Sequence, residues 1–454
     1  MYLGVPRSLI VRLGWTTLGY GGVQAIRLLN NIILTRLLAP PIFGLMALIN
    51  AIRTGVELLS DVGIVQNIVS NPRGAEPDFQ DTAWTLQAIR GFFLAIACLV
   101  LAVPLGSFFN SHELTLLLPL ASLFFIFNGF GSTAHGLIQK ELKIARFSMF
   151  EVGFAFVTLV IHVVVVLITP TIWGLVLASV LTTAAAMIMT YLYFPGMRHR
   201  FMIDRAIVRQ LFKFGKWVFL SSIVYFFAMN FDRLYFAKQI TLSQLGIYGI
   251  ARGLADMFSL LVLRCSNSVL FPTIAAAGLA PIELRQKILR GRRTLLAAAA
   301  VAVGGFLAVA PAIVRLLYDP RYESAGPIVQ ILCVGLWFNT LAATNDSILL
   351  GLGRPAYPAM SNTAKLLTYV LGVPLAFALF GFAAAIAVIS AGEIVKYGTL
   401  WALSHKEHLR FGRDDLVLTL IFAGTVVVCA EVVSLIGFSG GSMYPQLAGL
   451  FGFR

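Results

Sequence analysis

The sequence predicts an all-α polytopic membrane protein, built as two pseudo-symmetric six-helix lobes around a central cavity plus about one extra C-terminal helix. Three observations carry that expectation. Of the 454 residues, 59% are hydrophobic and 12% charged, against roughly a quarter charged in soluble domains, and mean hydropathy is +0.87. Apolar stretches of about 20 residues, the length that crosses a bilayer core as helix, recur along the whole chain. One stretch also repeats itself: LLNNIILTRLLAPPIFGLMALINAIRTGVELLSD, from Leu28 to Asp61, returns as MNFDRLYFAKQITLSQLGIYGIARGLAD, from Met229 to Asp256. Slid without gaps, Asn30 falls on Asp232, Arg36 on Lys238, Gly44 on Gly246 and Asn50 on Arg252. Duplication of a helical half is a common way to build a transporter.

Taken in order, thirteen spans are expected, at 15–38, 42–69, 83–109, 114–138, 147–169, 171–194, 216–238, 245–275, 294–318, 325–351, 357–380, 382–403 and 416–437. Met1 to Trp15 runs into the first of them with no small-residue cleavage site, so it reads as the lead into a membrane helix and not as a signal peptide. The tail from Phe438 is Gly-rich and too broken for a further span. Residues 1–203 then form an N-lobe of helices one to six, 204–404 a C-lobe of helices seven to twelve, and 405–454 the extra helix and a short tail. Prolines 104, 119, 272, 311 and 374 fall inside spans, where each removes a backbone hydrogen bond.

Charge in the connections sets the orientation. With the N-terminus placed in the cytoplasm, the inner connections collect 21 basic residues and the outer ones four, namely Arg36, Lys238, Arg315 and Arg321. This is the positive-inside asymmetry, and it explains the net charge of +14 without nucleic acid, which would call for a soluble basic face with interleaved aromatics. The longest inner connection, Gly196 to Lys216, is basic and amphipathic; it separates the lobes and is expected to lie along the membrane surface. Cys98, Cys265, Cys333 and Cys429 stand singly in apolar runs, which argues against disulfides and structural zinc. His405 and His408 flank Glu407 in a loop of mixed charge and read as no metal site.

Eight basic residues remain within the spans: Arg27, Arg53, Arg90, Arg233, Arg252, Arg264, Lys365 and Lys396. Eight acids lie within or at the edge of them: Glu57, Asp61, Glu151, Asp232, Asp256, Asp346, Glu393 and Glu431. A charge at mid-bilayer costs on the order of 2.5–3.5 kcal/mol on insertion scales, so these residues must pair or face a hydrated cavity. Helical spacing pairs Arg53 with Glu57, Arg252 with Asp256 and Glu393 with Lys396. Arg27, Arg90, Arg264 and Lys365 have no acid one turn away on their own helix, and unpaired cations in such a cavity suit an anionic ligand. The planar fork of arginine suits phosphate or pyrophosphate in particular.

The residues LTRLLAPPIFGLMAL (34–48), DVGI (61–64), DTAWTLQAIRG (81–91), QKELKIARF (139–147), FGKWVFLSS (214–222), NFDRLYFAK (230–238), LGIYGIARGL (245–254), LFPTIAA (270–276) and YDPRYESAGPIVQIL (318–332) give the chain a specific resemblance. Over about residues 10–400 it resembles the Wzx-type polysaccharide transporters, in particular their WzxC-like branch, within the multidrug/oligosaccharidyl-lipid/polysaccharide exporter superfamily. The resemblance implies a flippase, not an enzyme. It would move an undecaprenyl-pyrophosphate-linked oligosaccharide repeat unit from the inner to the outer leaflet of the bacterial inner membrane by alternating access, for O-antigen, capsule or exopolysaccharide. It admits a glycan polymerase complex as partner and implies no cofactor beyond H+ or Na+ coupling. The implied substrate-binding residues are Arg27 and Arg53, then Arg90, Arg252, Arg264 and Lys365, with Glu57, Asp61 and Asp256 the candidates for ion coupling. A cation-coupled multidrug exporter of the same superfamily would want an anionic cavity instead. A membrane-embedded glycan polymerase would want a large outer loop with catalytic polar residues.

Overall fold

The computed structural model describes residues 7–61, 63–134, 137, 144–193, 199–275, 281–352, 354, 356–407, 409 and 411–435. Among them are fourteen α-helices: α1 (Arg7–Leu37), α2 (Pro40–Leu58), α3 (Ile64–Ser70), α4 (Pro77–Phe108), α5 (His112–Gly129), α6 (Ile144–Ile168), α7 (Ile172–Tyr193), α8 (Arg205–Gln239), α9 (Leu242–Ala275), α10 (Pro281–Leu317), α11 (Ala325–Gly351), α12 (Ala356–Phe380), α13 (Phe382–Lys406) and α14 (Gly412–Leu435). All but the short α3 correspond to the thirteen expected spans, and no strand occurs among the described residues. Among the described residues, ten helices meet the length and composition needed to cross a membrane.

The chain divides into two compact units, Met1–Phe226 with Phe236–Gly246, and Phe227–Tyr235 with Ile247–Arg454. Within the first, α4 packs on α5, α5 on α7, α7 on α6 and α6 on α1. Within the second, α10 packs on α11, α11 on α13 and α13 on α12. The third and fourth, fourth and sixth, and fifth and sixth long helices of each half are thus neighbours in both, so the internal repeat is a repeat of packing order. In the second unit α14 lies along α10. It is fastened there by the fully buried Arg292, whose NH1 donates to Asp415 at 2.5 Å, Nε to Thr344 at 3.2 Å and NH2 to Asn345 at 3.2 Å, while Phe411 covers the guanidinium at 4.5 Å.

The two glycines aligned by the repeat meet within the first unit. A Cβ on Gly44 would overlap the Leu242 carbonyl, and one on Gly246 would overlap the Pro40 carbonyl. Pro40 and Leu242 are themselves equivalent under the same offset of 202 residues, so the contact is reciprocal. Only glycine lets two helix starts approach so closely.

Several boundaries differ from expectation, among them the starts of α1, α4 and α10, which lie at Arg7, Pro77 and Pro281 and not at 15, 83 and 294, and three have an identifiable local reason. The second span does not run to 69, because α2 stops at Leu58: Gly63 is left-handed (φ 66°) and its amide donates to Asp61 at 2.9 Å. The fourth ends at Gly129, where the Gln87 side chain donates to the carbonyls of Asn128, Gly129 and Gly131 at 3.0–3.1 Å. The basic connection expected along the membrane surface is, from Arg205 onward, the opening of α8 itself. Asp204 caps it through the Ala206 amide at 2.7 Å, and Ile207 and Leu211 are buried on Ile64, Ile68, Phe79 and Ala83.

The residues just before α8 are strapped to α4. The amides of Arg200, Met202 and Asp204 donate to Asp81 (3.1 Å), Thr85 (3.0 Å) and Thr82 (3.3 Å). The His199 ring stacks on Trp84 with centroids 5.4 Å apart, and its Nε2 lies 2.9 Å from the Ser132 hydroxyl. Burial lowers the His199 pKa, partly offset by Asp81 at 3.8 Å from Nδ1.

Two outcomes follow. Gly246→Leu should destabilise by about 1–3 kcal/mol, the range for overpacking, whereas Gly424→Ala, which meets nothing within 4 Å, should change little; thermal unfolding of the purified protein compares them. Since burial holds His199 neutral, the strap's stability is fully present above the free-imidazole value of about 6.5 and is lost as pH falls below it. Protection of the amides at residues 200–204 against hydrogen exchange, taken relative to the intrinsic rate at each pH, should therefore fall on acidification, and His199→Asn should flatten that dependence.

Candidate functional site

Each unit carries its own set of charges inside the membrane-spanning helices. In the first, Arg53 projects from the middle of α2 and its guanidinium carbon sits 4.0 Å above the Phe124 ring, a contact worth roughly 0.5–2 kcal/mol. Its buried Nε has no hydrogen-bond partner. Glu57, one turn on, directs its carboxylate to Asn128 Nδ2 at 2.9 Å. Arg90 reaches across from α4 to the end of α2, donating to the Ser60 hydroxyl (3.0 and 3.1 Å) and the Glu57 carbonyl (2.6 Å). It therefore adds a charged donor to a carbonyl of the last turn of α2, which the Ser60 amide and hydroxyl also reach. Asp61 is engaged by the Gly63 amide, and Arg27 lies exposed on α1. A small recess lined by Glu57, Gln87, Arg90 and Asn128 opens beside this contact.

In the second unit four cations meet four acids. Asp232, 2% exposed, accepts from the Tyr248 hydroxyl and faces Arg252 NH1 at 3.8 Å. Arg252 Nε lies 3.2 Å from Asp256, which Arg233 also approaches at 3.4 Å. On the neighbouring helices Lys365, 1% exposed, donates to Glu393 at 2.6 Å, with the Tyr369 hydroxyl 3.4 Å from the same oxygen. Lys396 pairs with Asp346 at 3.2 Å and touches Asn339 at 3.5 Å. One oxygen each of Glu393 and Asp346 is buried without a hydrogen-bond partner.

This arrangement answers the sequence expectations residue by residue. Arg252 and Asp256 are paired one turn apart as the spacing requires. Glu393 also takes Lys365 on α12 as a partner, and Lys396 takes Asp346 on α11, so both are engaged across helices. Lys365 is thus neutralised across helices, although its own helix offers it no acid. The side chain of Arg264 lies outside the described residues. The tyrosines 248 and 369 and the buried Arg292 escaped sequence reasoning. For Arg292 a signal existed, since it falls on one helical stripe with the buried Ile288 and Leu296 although it stands in a run of basic residues.

Comparison with known proteins agrees with this architecture. A family described as polysaccharide biosynthesis protein matches residues 33–327. The lipopolysaccharide biosynthesis protein WzxC of Escherichia coli (strain K12) is 23% identical over 365 residues, covering 78% of this chain and 72% of the relative. The succinoglycan biosynthesis transport protein ExoT of Rhizobium meliloti (strain 1021) is 22% identical, covering 76% and 69%. Among solved structures, an inward-facing multidrug resistance MATE family transporter of the MOP superfamily superposes with a TM-score of 0.68 at 15% identity, over 88% of this chain and 98% of the other. The lipid II flippase MurJ, in an inward closed conformation, gives 0.63 at 13%, over 95% and 96%. At such identities the structures speak for a shared fold.

The buried pair gives a direct test. Lys365→Met leaves Glu393 buried without its cation and should cost about 3–5 kcal/mol, while Lys365→Met with Glu393→Leu should recover most of that loss. Equal thermal midpoints for the single and double variants would contradict the pairing.

Proposed function

Because the chain belongs to the polysaccharide biosynthesis protein family, we propose that it is a flippase for an undecaprenyl-pyrophosphate-linked oligosaccharide repeat unit. It carries this unit from the cytoplasmic to the periplasmic leaflet by alternating access, and so serves O-antigen, capsule or exopolysaccharide synthesis. The carrying observation is the family match over residues 33–327, joined to relatives named for polysaccharide biosynthesis and transport. The reading requires no covalent chemistry from the protein: it binds a charged headgroup, carries it past hydrocarbon and releases it, and is not an enzyme.

The charges supply the means. A pyrophosphate cannot enter hydrocarbon without compensation, and guanidinium forks donate paired hydrogen bonds to its oxygens. Arg53 leads, because its Nε is uncommitted in an otherwise buried position, and exposed Arg27 stands with it. Arg90, Arg252, Arg264 and Lys365 complete the set of substrate-binding residues, with the polyprenyl tail left in lipid between helices. Glu57, Asp61 and Asp256 are the coupling groups for protons or sodium. The excess of basic residues on one side supports an N-terminus on the cytoplasmic side of a bacterial inner membrane. A glycan polymerase complex would be the partner that receives the flipped unit.

Cells that lack the chain should accumulate lipid-linked oligosaccharide on the inner face of the membrane, and the wild-type chain should relieve it. Arg53→Ala should fail to relieve it by at least roughly tenfold, the effect of losing about 1.4 kcal/mol, while still inserting in the membrane. Full relief by Arg53→Ala would remove that residue from the site. Equal appearance of the unit on the outer face with and without the chain would overturn the flippase reading, and a change in drug accumulation alone would favour a multidrug exporter.

A further inference from the structure

The strap at residues 200–204 and the first two turns of α8 present a surface that substrate transport does not use. Phe201 (71% exposed), Ile203 (58%) and Phe212 (55%) stand out from it, interleaved with the exposed Arg200, Arg205 and Arg209. None of these three guanidinium groups is in an ion pair among the described residues. Four other arginines at helix ends and connections pair, Arg73 with Glu76 (2.7 Å), Arg315 with Glu323 (2.6 Å), Arg321 with Asp319 (2.7 Å) and Arg354 with Glu407 (3.0 Å), while Arg36, Arg290 and Arg413 stand singly among the described residues. The acids that could neutralise the strap are committed elsewhere, Asp81 to the Arg200 amide and Asp204 to the Ala206 and Ile207 amides.

The height of this surface relative to the bilayer follows from its attachment. The strap is bonded to Asp81, Thr82 and Thr85, within the first three turns of α4. At 1.5 Å per residue the 32-residue α4 is roughly 48 Å long, well beyond a hydrocarbon core of about 30 Å. The 35-residue α8 exceeds the core by a similar margin. Their adjoining ends therefore extend into the headgroup layer, where an apolar ring can dip toward the acyl chains while a guanidinium stays among phosphates.

We propose that residues 200–212 are a docking surface for anionic phospholipid headgroups. Phe201, Ile203 and Phe212 enter the headgroup boundary, and Arg200, Arg205 and Arg209 hold the lipid phosphates. The surface is preorganised, because three backbone hydrogen bonds and the His199–Trp84 stack fix the strap before any lipid arrives. An anionic lipid bound there ties the segment between α7 and α8 to the start of α4. The inference is independent of which substrate is carried.

The full chain is reconstituted in nanodiscs of phosphatidylcholine alone and of phosphatidylcholine with phosphatidylglycerol, and the lipids it retains are read by native mass spectrometry. Wild type should retain phosphatidylglycerol preferentially and melt at a higher temperature in its presence. Arg200→Gln/Arg205→Gln/Arg209→Gln should weaken that preference on the order of a hundredfold, as three interfacial charges imply, and each single variant by about fivefold. Arg73→Gln, which removes a paired arginine, should leave it intact. The three side chains are exposed and unpaired, so monodispersity in phosphatidylcholine alone should be unchanged. An undiminished preference in the triple variant, or an equal loss in Arg73→Gln, would overturn the proposal. So would protection of wild type by inorganic phosphate as strong as that by phosphatidylglycerol, which would point to a free-anion site.

Discussion

An ionised side chain in hydrocarbon must find compensation, and the interior of this chain is arranged around that constraint. The penalty, on the order of 2.5–3.5 kcal/mol per charge on insertion scales, is comparable to what a whole buried leucine contributes. A membrane helix therefore carries a charge at least cost where its own next turn or a neighbouring element compensates it. In the second unit α8, α9, α11, α12 and α13 each contribute to one set of four cations and four acids. The buried tyrosines serve the same end, since the Tyr248 and Tyr369 hydroxyls reach the oxygens of Asp232 and Glu393 that also face Arg252 and Lys365. Such a set restricts how these helices can rearrange, because separating one pair strands two charges.

A second constraint is close approach. Helices in lipid gain nothing from expelling water from each other, so they associate where small residues let backbones touch. The reciprocal contact of Gly44 with the Leu242 carbonyl and Gly246 with the Pro40 carbonyl is of that kind. Gly91 does the same for α4 and α5, where a Cβ would lie 2.5 Å from the Phe125 carbonyl. The contact between repeat-related positions explains why glycine stands at both: a side chain on either would push away the equivalent turn of its counterpart.

What the sequence could and could not reveal follows from the range of each signal. Apolar span length is local, so all thirteen long helices were legible, as was the Arg252–Asp256 pair, which lies within one helix. Helix ends were less so, because hydropathy continues past the point where Gly63 turns left-handed and misses the capping of α8 by Asp204. Partners across helices were illegible. Lys365 and Glu393 are 28 residues apart, and a single helical wheel shows the Glu393–Lys396 spacing but not that bond. The burial of Arg292 was hidden for the same reason, since its acid lies 123 residues further on.

The two charge sets differ in commitment more than in count, and this bears on where an anion would be held under the proposed function. In the second unit each cation faces a carboxylate within 4 Å, so a pyrophosphate entering there must compete with an acid already in place. In the first unit the acids are held by neutral donors, Glu57 by Asn128 and Asp61 by the Gly63 amide. Arg53 is left with an aromatic face on one side and an unpartnered Nε, which can donate to a phosphate oxygen without breaking an existing ion pair. A ring face stabilises a cation without supplying an acceptor, so it holds the half-buried guanidinium while leaving its directed hydrogen bonds for a ligand. On that physical ground Arg53, and not the more deeply buried Lys365, is the residue on which headgroup binding should depend most.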